Sequence, residues 1–409
     1  MRTSLPLLLG GTAVLVALPW LLSSGLLNAS IQMLIAALFA SAYSLLAGRA
    51  GMLSFGHAAY FGVGAFATVH AMNAVGGAGL LPTPLLPLAG AGTGLAVGIV
   101  AGWFATKRSG TAFAMITLAI AELLHALAPQ LKGWFGGESG ISTMRMPAWG
   151  LTFGSTTEVY YLTLAWVLLA LALLYFHTLT PLGRLTLALR ENGHRLRFLG
   201  YNVHGLGVSA FAISGMFSGL AGALQVVSNE SANYVVFDAG VSAAVVLNSY
   251  IGGVTAFLGP AFGAALMTFF GYAVSDATQA WMLYQGVIFV LVMMFVPEGL
   301  VGLVATTRQL AARLGLRALP LAAAWVIGGL LVSAGFVFGI EILQRVCSQD
   351  YRALLRAGEA WPAVQLLGRD WLPGAIGTWA TALLPLAAGC AVLAFTRTIQ
   401  RRWIAEVAR

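Results

Sequence analysis

Charged side chains are scarce in this chain, and their scarcity excludes a water-soluble globular protein. Only 8% of the 409 residues are Asp, Glu, Lys or Arg, whereas 59% are hydrophobic. A soluble domain has roughly 25% charged residues. The mean hydropathy of +0.88 agrees, and so much apolar surface also excludes a disordered chain. The composition therefore indicates an integral membrane protein.

Cysteine and acidic residues are also few. The two cysteines, Cys347 and Cys390, form neither a disulfide framework nor a metal-site pattern. The 13 acidic residues are outnumbered by 21 basic ones, and the pI is near 9.8. A high pI can signal nucleic-acid binding, but most of these basic residues fall in loops on one side of the predicted membrane topology, as the positive-inside rule requires. We therefore expect a lipid bilayer, and no nucleic acid, as a partner.

Long apolar runs cover most of the chain. In lipid, only helices and closed barrels satisfy their backbone hydrogen bonds, and the runs lack the alternation of barrel strands. The sequence predicts an all-α, polytopic transmembrane bundle of about 10–12 spans with interrupted helices and both termini on the cytoplasmic side. The first run is interpreted as an uncleaved span because it is long. The runs are Ser4–Ser24, Ala29–Ala47, Met52–Met72, Leu85–Ala105, Thr111–Leu131, Val159–His177, Leu206–Val227, Val241–Ala256, Leu258–Val274, Trp281–Gly299, Leu319–Ile340 and Gly374–Thr396.

The loop at residues 180–205 is the longest on the basic side. It contains a helix-compatible stretch that is apolar on one side and basic on the other, which suits docking onto a soluble partner. A solvated cytoplasmic turn is the alternative. The residues behind this prediction are Pro181 and Gly183 at the start, Leu185–Leu199 as the helix, Glu191 and Arg195 as an i,i+4 pair, and Gly200 as the C-cap.

Two apolar stretches are interrupted by glycines, one in each half of the chain. The first, Gly48–Ala65, carries Ser54 and His57, and the second, Ile251–Ala264, begins with a glycine pair. Paired interruptions of this kind indicate a substrate path in transporters, but the same glycines also suit a packing seam with His57 bonded to a neighbour. The region Val241–Val274 fits two short spans, a broken helix or a re-entrant loop.

A carboxylate and a histidine share one face of the predicted helix that begins at Thr111. Glu122 and His125 lie three residues apart, a spacing that also occurs in carboxylate-bridged metal sites. One such pair supplies too few ligands, so we expect no metal site. We expect instead that Glu122 is paired and faces the interior of the bundle.

Taken together, these segments resemble the LivM type of permease from branched-chain amino acid ABC transporters. The hallmark of that family is a Leu-Ser-x-Gly-His-Ala-Ala run, which stands here as Leu53–Ala59. The resemblance covers about Ala29–Leu303, with the motifs in the family's order. The other matching stretches are Thr117–Ala119 with Glu122, Gly183–Arg184, Arg190–Asn192, Leu199–Gly200, Phe211 with Gly219–Leu224, Gly252–Gly253 with Gly259–Pro260, and Pro297–Leu303.

The chain also departs from the family pattern. Family members usually have a proline soon after the run that ends at Leu224, where this chain has Val227–Tyr234, and Asn248–Tyr250 precedes the glycine pair in place of an apolar run. Members typically stop soon after Gly302. We therefore expect a permease domain at residues 1–303 and an extension at 304–409 that holds two additional membrane helices. These departures leave the solute open.

The resemblance implies one permease subunit of an ATP-driven importer in a bacterial inner membrane. The implied partners are a second, similar permease, two ATPase subunits that bind ATP and Mg²⁺, and a periplasmic solute-binding protein. The implied solute is a branched-chain amino acid or a related small polar solute, carried by alternating access. This chain has no Gly-x-x-x-x-Gly-Lys-Ser/Thr run for phosphate, so we expect it to be no enzyme and to hold no cofactor itself.

Two groups of residues are candidates for these roles. Matched family residues carry the coupling to the ATPase, whereas polar and glycine positions in the spans are candidates for the pore or gate. The coupling candidates are Gly183, Arg184, Arg190, Glu191, Asn192 and Gly200, and the pore or gate candidates are Ser54, Gly56, His57, Glu122, Asn248, Gly252 and Gly253.

Two other classes of protein are possible interpretations of the same sequence features. A secondary transporter driven by an ion gradient is the alternative, in which Glu122, His57 and Asp238 relay protons. An intramembrane enzyme is disfavoured because six scattered histidines and two distant cysteines supply neither a nucleophile–base pair nor a set of metal ligands.

Overall fold

The computed structural model describes residues 5–76, 82–275, 278–296, 298–315, 318–356, 361–366 and 368–407. Pro297, which belongs to a family-like stretch, lies outside the described residues. The chain divides into two compact units. The first comprises Met1–Ala273 and Val287–Gly302, and the second comprises Val274–Gly286 and Leu303–Arg409.

The first unit is built of helices with one small sheet. Its two short strands pair antiparallel, Ile141 with Ala232 and Ser142 with Ser231. In chain order the elements are α1 (Leu5–Leu21), α2 (Ser24–Ser44), a π-helix (Leu45–Arg49), α3 (His57–Ala71), α4 (Pro87–Ala105), α5 (Thr111–Leu127), α6 (Lys132–Phe135), β1 (Ile141–Ser142), α7 (Thr156–Leu179), α8 (Pro181–Phe198), α9 (Val203–Asn229), β2 (Ser231–Ala232), α10 (Ala239–Gly252) and α11 (Gly259–Ser275).

The remaining elements begin after α11. Three helices, α11, α12 and α13, contribute residues to both units, and a helical hairpin with a two-stranded sheet completes the second unit. The elements are α12 (Trp281–Phe295), α13 (Gly299–Leu314), α14 (Ala318–Cys347), α15 (Gln349–Arg356), β3 (Val364–Leu366), β4 (Arg369–Trp371) and α16 (Ile376–Val407).

The predicted all-α, polytopic class is confirmed. Within the described part of the chain, six helices are long and apolar enough to cross a membrane, or up to eight if each of two bent pairs counts as one span. One bent pair joins α5 to residues 132–139 at an angle of 96°. Four segments expected to span, now α1, α3, α10 and α11, are helices of only 17, 15, 14 and 17 residues and fall outside this count. The region left open in the sequence is therefore two short helices, α10 and α11, separated by a break after Gly252.

Helices α2 and α9 lie at the centre of the first unit. In the apolar 18-residue stretch of each of these two helices, 83% is buried inside the protein, whereas the corresponding share is 44% for α4 and for α7. Side chains of α2, α7 and α9 form the main core, with Phe61 of α3 and Val245 of α10 among them. The central position of α9 matters because it carries a side chain of the candidate site.

Helices α4 and α9 touch backbone to backbone through glycine. Gly90, Gly94 and Gly98 follow one another at one per helical turn of α4, and α9 presents Gly215 and Gly219 to them. A Cβ atom at Gly219 would lie 2.9 Å from the Cα atom of Gly94. Any larger side chain would separate the helices, since close approach of membrane helices requires small residues.

The end of α9 far from α8 is capped by an arginine. Arg145, which follows β1, donates from Nη1 to the carbonyl oxygens of Val227 (2.9 Å) and Ser228 (3.0 Å). Its backbone N–H donates to Glu230 Oε1 at 2.8 Å. A cation at a helix C-terminus satisfies free carbonyls and opposes the negative end of the helix dipole, so α9 is fixed at this end.

The second unit contains the helical hairpin of α14 and α16. Both helices are long and apolar enough to cross a membrane. Their seam again relies on glycine: a Cβ atom at Gly335 would lie 2.9 Å from the backbone nitrogen of Leu386. A small cluster of Ile342, Tyr351 and Val364 packs α14 against α15 and β3.

Candidate coupling and gate site

The start of α8 is set by local chemistry. Thr180 is the N-cap, and its hydroxyl oxygen accepts a hydrogen bond from the backbone N–H of Gly183 at 3.1 Å. Pro181 occupies the first helical position, where no N–H is needed. A side chain at Gly183 would collide with the carbonyl group of His177, so the turn from α7 into α8 is tight. The helix therefore begins at Pro181, four residues before the predicted start.

The predicted single helix is wrong in its middle. Asn192 has φ −160° and ψ 92°, which breaks α8 into two parts. The Asn192 side chain accepts from the backbone N–H of Arg195 at 2.9 Å and so caps the second part. Because the break lies between Glu191 and Arg195, they do not sit on one continuous helix, and no ion pair between them is found in the described residues.

The C-terminal end of α8 presents an apolar tip. Gly200 has φ +86°, its N–H donates to the Arg197 carbonyl at 3.0 Å, and the next N–H reaches the Leu196 carbonyl. This is the Schellman arrangement, and the predicted C-cap role of Gly200 is confirmed. Just before it, Phe198 is 92% exposed and Leu199 is 65% exposed. Neighbouring exposed apolar side chains of this kind are a candidate interaction surface.

Arg190 points from α8 back to the bundle. Its Nη1 atom donates a hydrogen bond to the Gly48 carbonyl, at the end of the π-helix that extends α2. Its aliphatic stem fills the space beside Gly51, which has φ +70° and where a Cβ atom would lie 2.8 Å from Arg190 Cγ. Leu189 packs nearby against the cluster that includes Tyr60. The coupling candidate Arg190 therefore grips the segment that leads into the hallmark run.

The hallmark run packs on α5. The backbone N–H of Phe55 donates to Thr117 Oγ1 at 3.1 Å, and Thr117 Oγ1 in turn donates to the Ala114 carbonyl at 2.8 Å. A side chain at Gly56 would collide with the Thr117 carbonyl. The structure thus brings together two motifs 62 residues apart in sequence, and Gly56 is required by close approach.

His57 is enclosed at the centre of this site. Only 1% of the residue is exposed, and the rings of Tyr43 and Tyr60 lie 5.0 and 5.7 Å from its ring. Its Nδ1 atom lies 3.0 Å from Ser54 Oγ, and its Nε2 atom lies 2.8 Å from Ser214 Oγ. Both ring nitrogens therefore have partners, one on the same loop and one on α9.

The direction of these hydrogen bonds follows from Ser214. Its hydroxyl donates to the Ala42 carbonyl at 2.7 Å, so its oxygen must accept from His57 Nε2–H. Nδ1 is then the acceptor and takes the hydroxyl hydrogen of Ser54, whose oxygen accepts from the Gly56 N–H at 3.3 Å. A neutral imidazole satisfies the whole chain, which joins α2, α3 and α9.

The second glycine-broken stretch meets the first. Ser242 of α10 accepts from the Ala58 N–H at 2.9 Å, at the start of α3. A side chain at Gly48 would collide with the carbonyl of Val254, which follows the glycine pair. The two interruptions predicted from sequence are therefore neighbours in space, while their role as a substrate path stays a prediction.

The glycine pair itself closes a tight corner. Gly253 has φ +106°, and a Cβ atom at that position would lie 2.5 Å from the Glu298 carbonyl oxygen. Gly252 faces Gly259 and Gly263 so closely that a side chain would collide with their backbone. Asn248 is buried, with 7% exposed, and its backbone carbonyl abuts Gly263. These pore or gate candidates thus lie at the junction of α10 and α11.

The predicted surroundings of Glu122 are wrong. It is exposed on α5 and has no ion-pair partner among the described residues, so it is neither paired nor inward-facing. Its i,i+3 neighbour His125 packs against Tyr234, with ring centroids 5.6 Å apart and the rings tilted by 38°. The other relay candidate, Asp238, caps α10 through the Gly240 N–H. In the part of the chain that the structure describes, no hydrogen bond joins these side chains to His57, and no group of three potential metal ligands occurs.

Two serines of the site were not among the candidates. Ser214 and Ser242 are fully buried, with 0% and 1% exposed, and bind His57 and the start of α3. A buried serine in an apolar helix is the available sequence signal, but most such hydroxyls bind their own helix, as Ser249 does with the Val245 carbonyl.

Comparison with known proteins agrees with this architecture. A family model described as "Branched-chain amino acid transport system / permease component" matches residues 25–297. The high-affinity branched-chain amino acid transport system permease protein LivM of Salmonella typhimurium is 27% identical over 311 residues, which cover 70% of this chain and 72% of that protein. The LivM protein of Escherichia coli is 26% identical over 309 residues, with the same shares covered.

No solved structure matches the chain. The family model, however, covers well over half of the sequence, and the relatives agree with the LivM-type resemblance, which is confirmed. Together with the apolar helices of spanning length, these matches identify a multi-pass membrane protein and a permease subunit. The chain belongs to the family of permease components of branched-chain amino acid transport systems.

Proposed function

We propose that this chain is one permease subunit of an ATP-driven importer for a branched-chain amino acid or a related small polar solute. The permease domain is residues 1–303, and residues 304–409 are an accessory extension. Both termini and α8 lie on the cytoplasmic side of a bacterial inner membrane, in keeping with the excess of basic residues in those loops. A second, similar permease, two ATPase subunits and a periplasmic binding protein complete the assembly.

The proposal rests on one observation about α8: this helix presents an exposed apolar tip and also contacts the helix bundle. One side ends in the exposed tip Phe198–Leu199, with exposed Arg195 and Arg197 beside it. An apolar tip with a basic surround fits an acidic-rimmed apolar groove on an ATPase subunit. The other side grips the bundle through Arg190.

Arg190 provides the route from the ATPase to the gate. Its hydrogen bond to Gly48 and its contact with Gly51 hold the segment between α2 and the hallmark run. That segment leads to His57, whose hydrogen bonds reach α2 and α9. A displacement of α8 by the ATPase therefore moves backbone that is bonded directly to the core of the permease.

Transport then proceeds by alternating access. ATP and Mg²⁺ bind the partner subunits, and their closure favours one of two permease conformations by differential binding. Gly51 and Gly253, with φ angles of +70° and +106°, are the points near the gate where the backbone has the greatest conformational freedom. This chain supplies the gate and the path, whereas hydrolysis takes place on the partners.

The test is reconstitution of the complete assembly in proteoliposomes with its neighbouring-gene partners. We expect L-leucine uptake that requires binding protein and hydrolysable ATP, that stops with a non-hydrolysable analogue and that persists when an uncoupler removes the proton gradient. Uptake by the permease alone that collapses with the uncoupler would contradict the proposal and support a secondary transporter.

A further inference from the structure

The exposed face of α5 carries an acidic side chain that has no ion-pair partner among the described residues. Phe113, Thr117 and Ala121 on one side of α5 are buried against the bundle. The opposite side is exposed over its whole length, and Glu122 lies in the second half of that stripe. The exposed positions are Thr111, Ala112, Met115, Ala119, Glu122, Leu123, Ala126 and Leu127.

An ionised carboxylate on this face is incompatible with lipid. Charged groups within a membrane span are costly unless they meet water or an opposite charge. The stretch Thr111–Leu131 contains no Lys or Arg, and the one ion pair found among the described residues joins Arg145 to Glu230. Since no cation among the described residues pairs with Glu122, we expect the face around it to meet water or a cation from outside this chain.

The neighbours of Glu122 leave room for a small solute. Ala119 and Ala126, the i−3 and i+4 neighbours of Glu122, are small, while the stripe also carries the exposed side chains of Met115 and Leu123. The stripe also borders the gate, because Thr117, on the buried side of the same helix, bonds to the hallmark run. Because of this hydrogen bond, a movement of the hallmark run would displace α5 directly.

We infer that this face of α5 lines the solute path and that the Glu122 carboxylate binds the ammonium group of an amino acid in transit. The inference rests on the proposed function and specifies its substrate class. A charge-assisted hydrogen bond from ammonium to carboxylate is strong enough to select amines over neutral analogues. Its exposure to water keeps the interaction weak enough for the solute to leave, as conduction requires.

The first test compares uptake by variants in the reconstituted assembly. Glu122→Gln keeps the shape and removes the charge, and we expect L-leucine uptake to fall at least about tenfold while the subunits still co-purify as one assembly. Glu122→Asp should restore part of the uptake. Glu138→Gln, the same change at an exposed loop position after α5, should transport normally.

A second test reports water access without depending on transport. Glu122→Cys in a background with Cys347 and Cys390 replaced by Ser should react with a membrane-impermeant thiol reagent, and L-leucine should slow the reaction. Leu173→Cys, 50% exposed on the uncharged outer face of α7, should stay unlabelled.

Each outcome decides between the two proposals. Glu122→Gln with uptake within twofold of the parent, or an unreactive Glu122→Cys, overturns the inference while leaving the ATP-driven importer intact. Absence of ATP-driven L-leucine uptake in the parent assembly overturns both.

Discussion

Ser214 Oγ on α9 lies 2.8 Å from Nε2 of His57 at the start of α3. Because the serine hydroxyl donates to the Ala42 carbonyl, this contact links three helices through one imidazole. The hallmark histidine is thus the centre of a closed hydrogen-bond network and has no free nitrogen for proton transfer. The predictions below follow from this network and from the segment that connects it to α8.

Removal of the Ser214 hydroxyl should destabilise the protein. In Ser214→Ala the His57 Nε2–H and the Ala42 carbonyl both lose a buried partner, and the expected cost is about 1–3 kcal/mol. Thermal unfolding of the purified subunit in detergent measures it. Ser209→Ala on the same helix is the control, because that hydroxyl bonds the carbonyl of its own helix, and its effect should stay within about 0.5 kcal/mol. Equal stability of the two variants would contradict the network.

Two glycine substitutions should have opposite effects. Gly56→Ala places a methyl group against the Thr117 carbonyl, and overpacking of this kind costs about 1–3 kcal/mol. Gly92→Ala on α4 meets no atom within 4 Å and should stabilise its helix by about 0.5–1 kcal/mol. The same thermal assay checks both, and a Gly56→Ala protein as stable as the parent would show that the loop does not pack on α5 as described.

Loss of Arg190 should uncouple transport from hydrolysis. The double variant Arg190→Ala with Glu191→Ala should insert and assemble, and its ATPase subunits should remain active, but L-leucine uptake should be lost because Gly48 and Gly51 are released. Arg190→Lys keeps the charge without the planar fork and should recover uptake in part. Arg108→Ala, an exposed arginine of another loop, is the control, and normal uptake by the double variant would refute the coupling role.

Polar substitution of the α8 tip should weaken assembly alone. Phe198→Ser with Leu199→Ser changes side chains that are 92% and 65% exposed, so the stability of the isolated subunit should be unchanged. Binding of the ATPase subunits, measured by co-purification, should fall by more than about tenfold, since buried aromatic anchors dominate interface energies. Met144→Ser, 72% exposed in the loop beyond β1, should bind normally; equal binding by the tip variant would remove the tip from the interface.

The features that could be predicted from sequence are those set by local chemistry. The exit of α8 at Gly200 depends on backbone angles and hydrogen bonds that a few neighbouring residues determine, whereas its start at Pro181 lies four residues before the predicted one. The glycine-broken stretches were recognised for the same reason. That Gly48 and Val254 meet is a tertiary fact, and only the packed structure provides it.

What could not be predicted from sequence is mainly which face of a membrane helix is buried. In a soluble helix, apolar periodicity identifies the buried face, but in a membrane helix both faces are apolar and the signal disappears. Glu122 was therefore placed inward although it is exposed. Asn192 posed a second ambiguity, since asparagine either stays in a helix or caps a new one, and the structure has it cap.

The glycine seam between α4 and α9 determines which parts of the permease are able to move. With Gly94 and Gly219 in backbone contact, the two helices interlock over several turns and have no side-chain layer on which to slide. Gly64 of α3 meets the backbone of Gly219 in the same way, so α3, α4 and α9 form one fixed block, and we expect a change of state to move the short helix α10 relative to it. The π-helical turn at Leu45–Arg49, which extends α2 towards the contact between Gly48 and Val254, is the expected pivot for that movement.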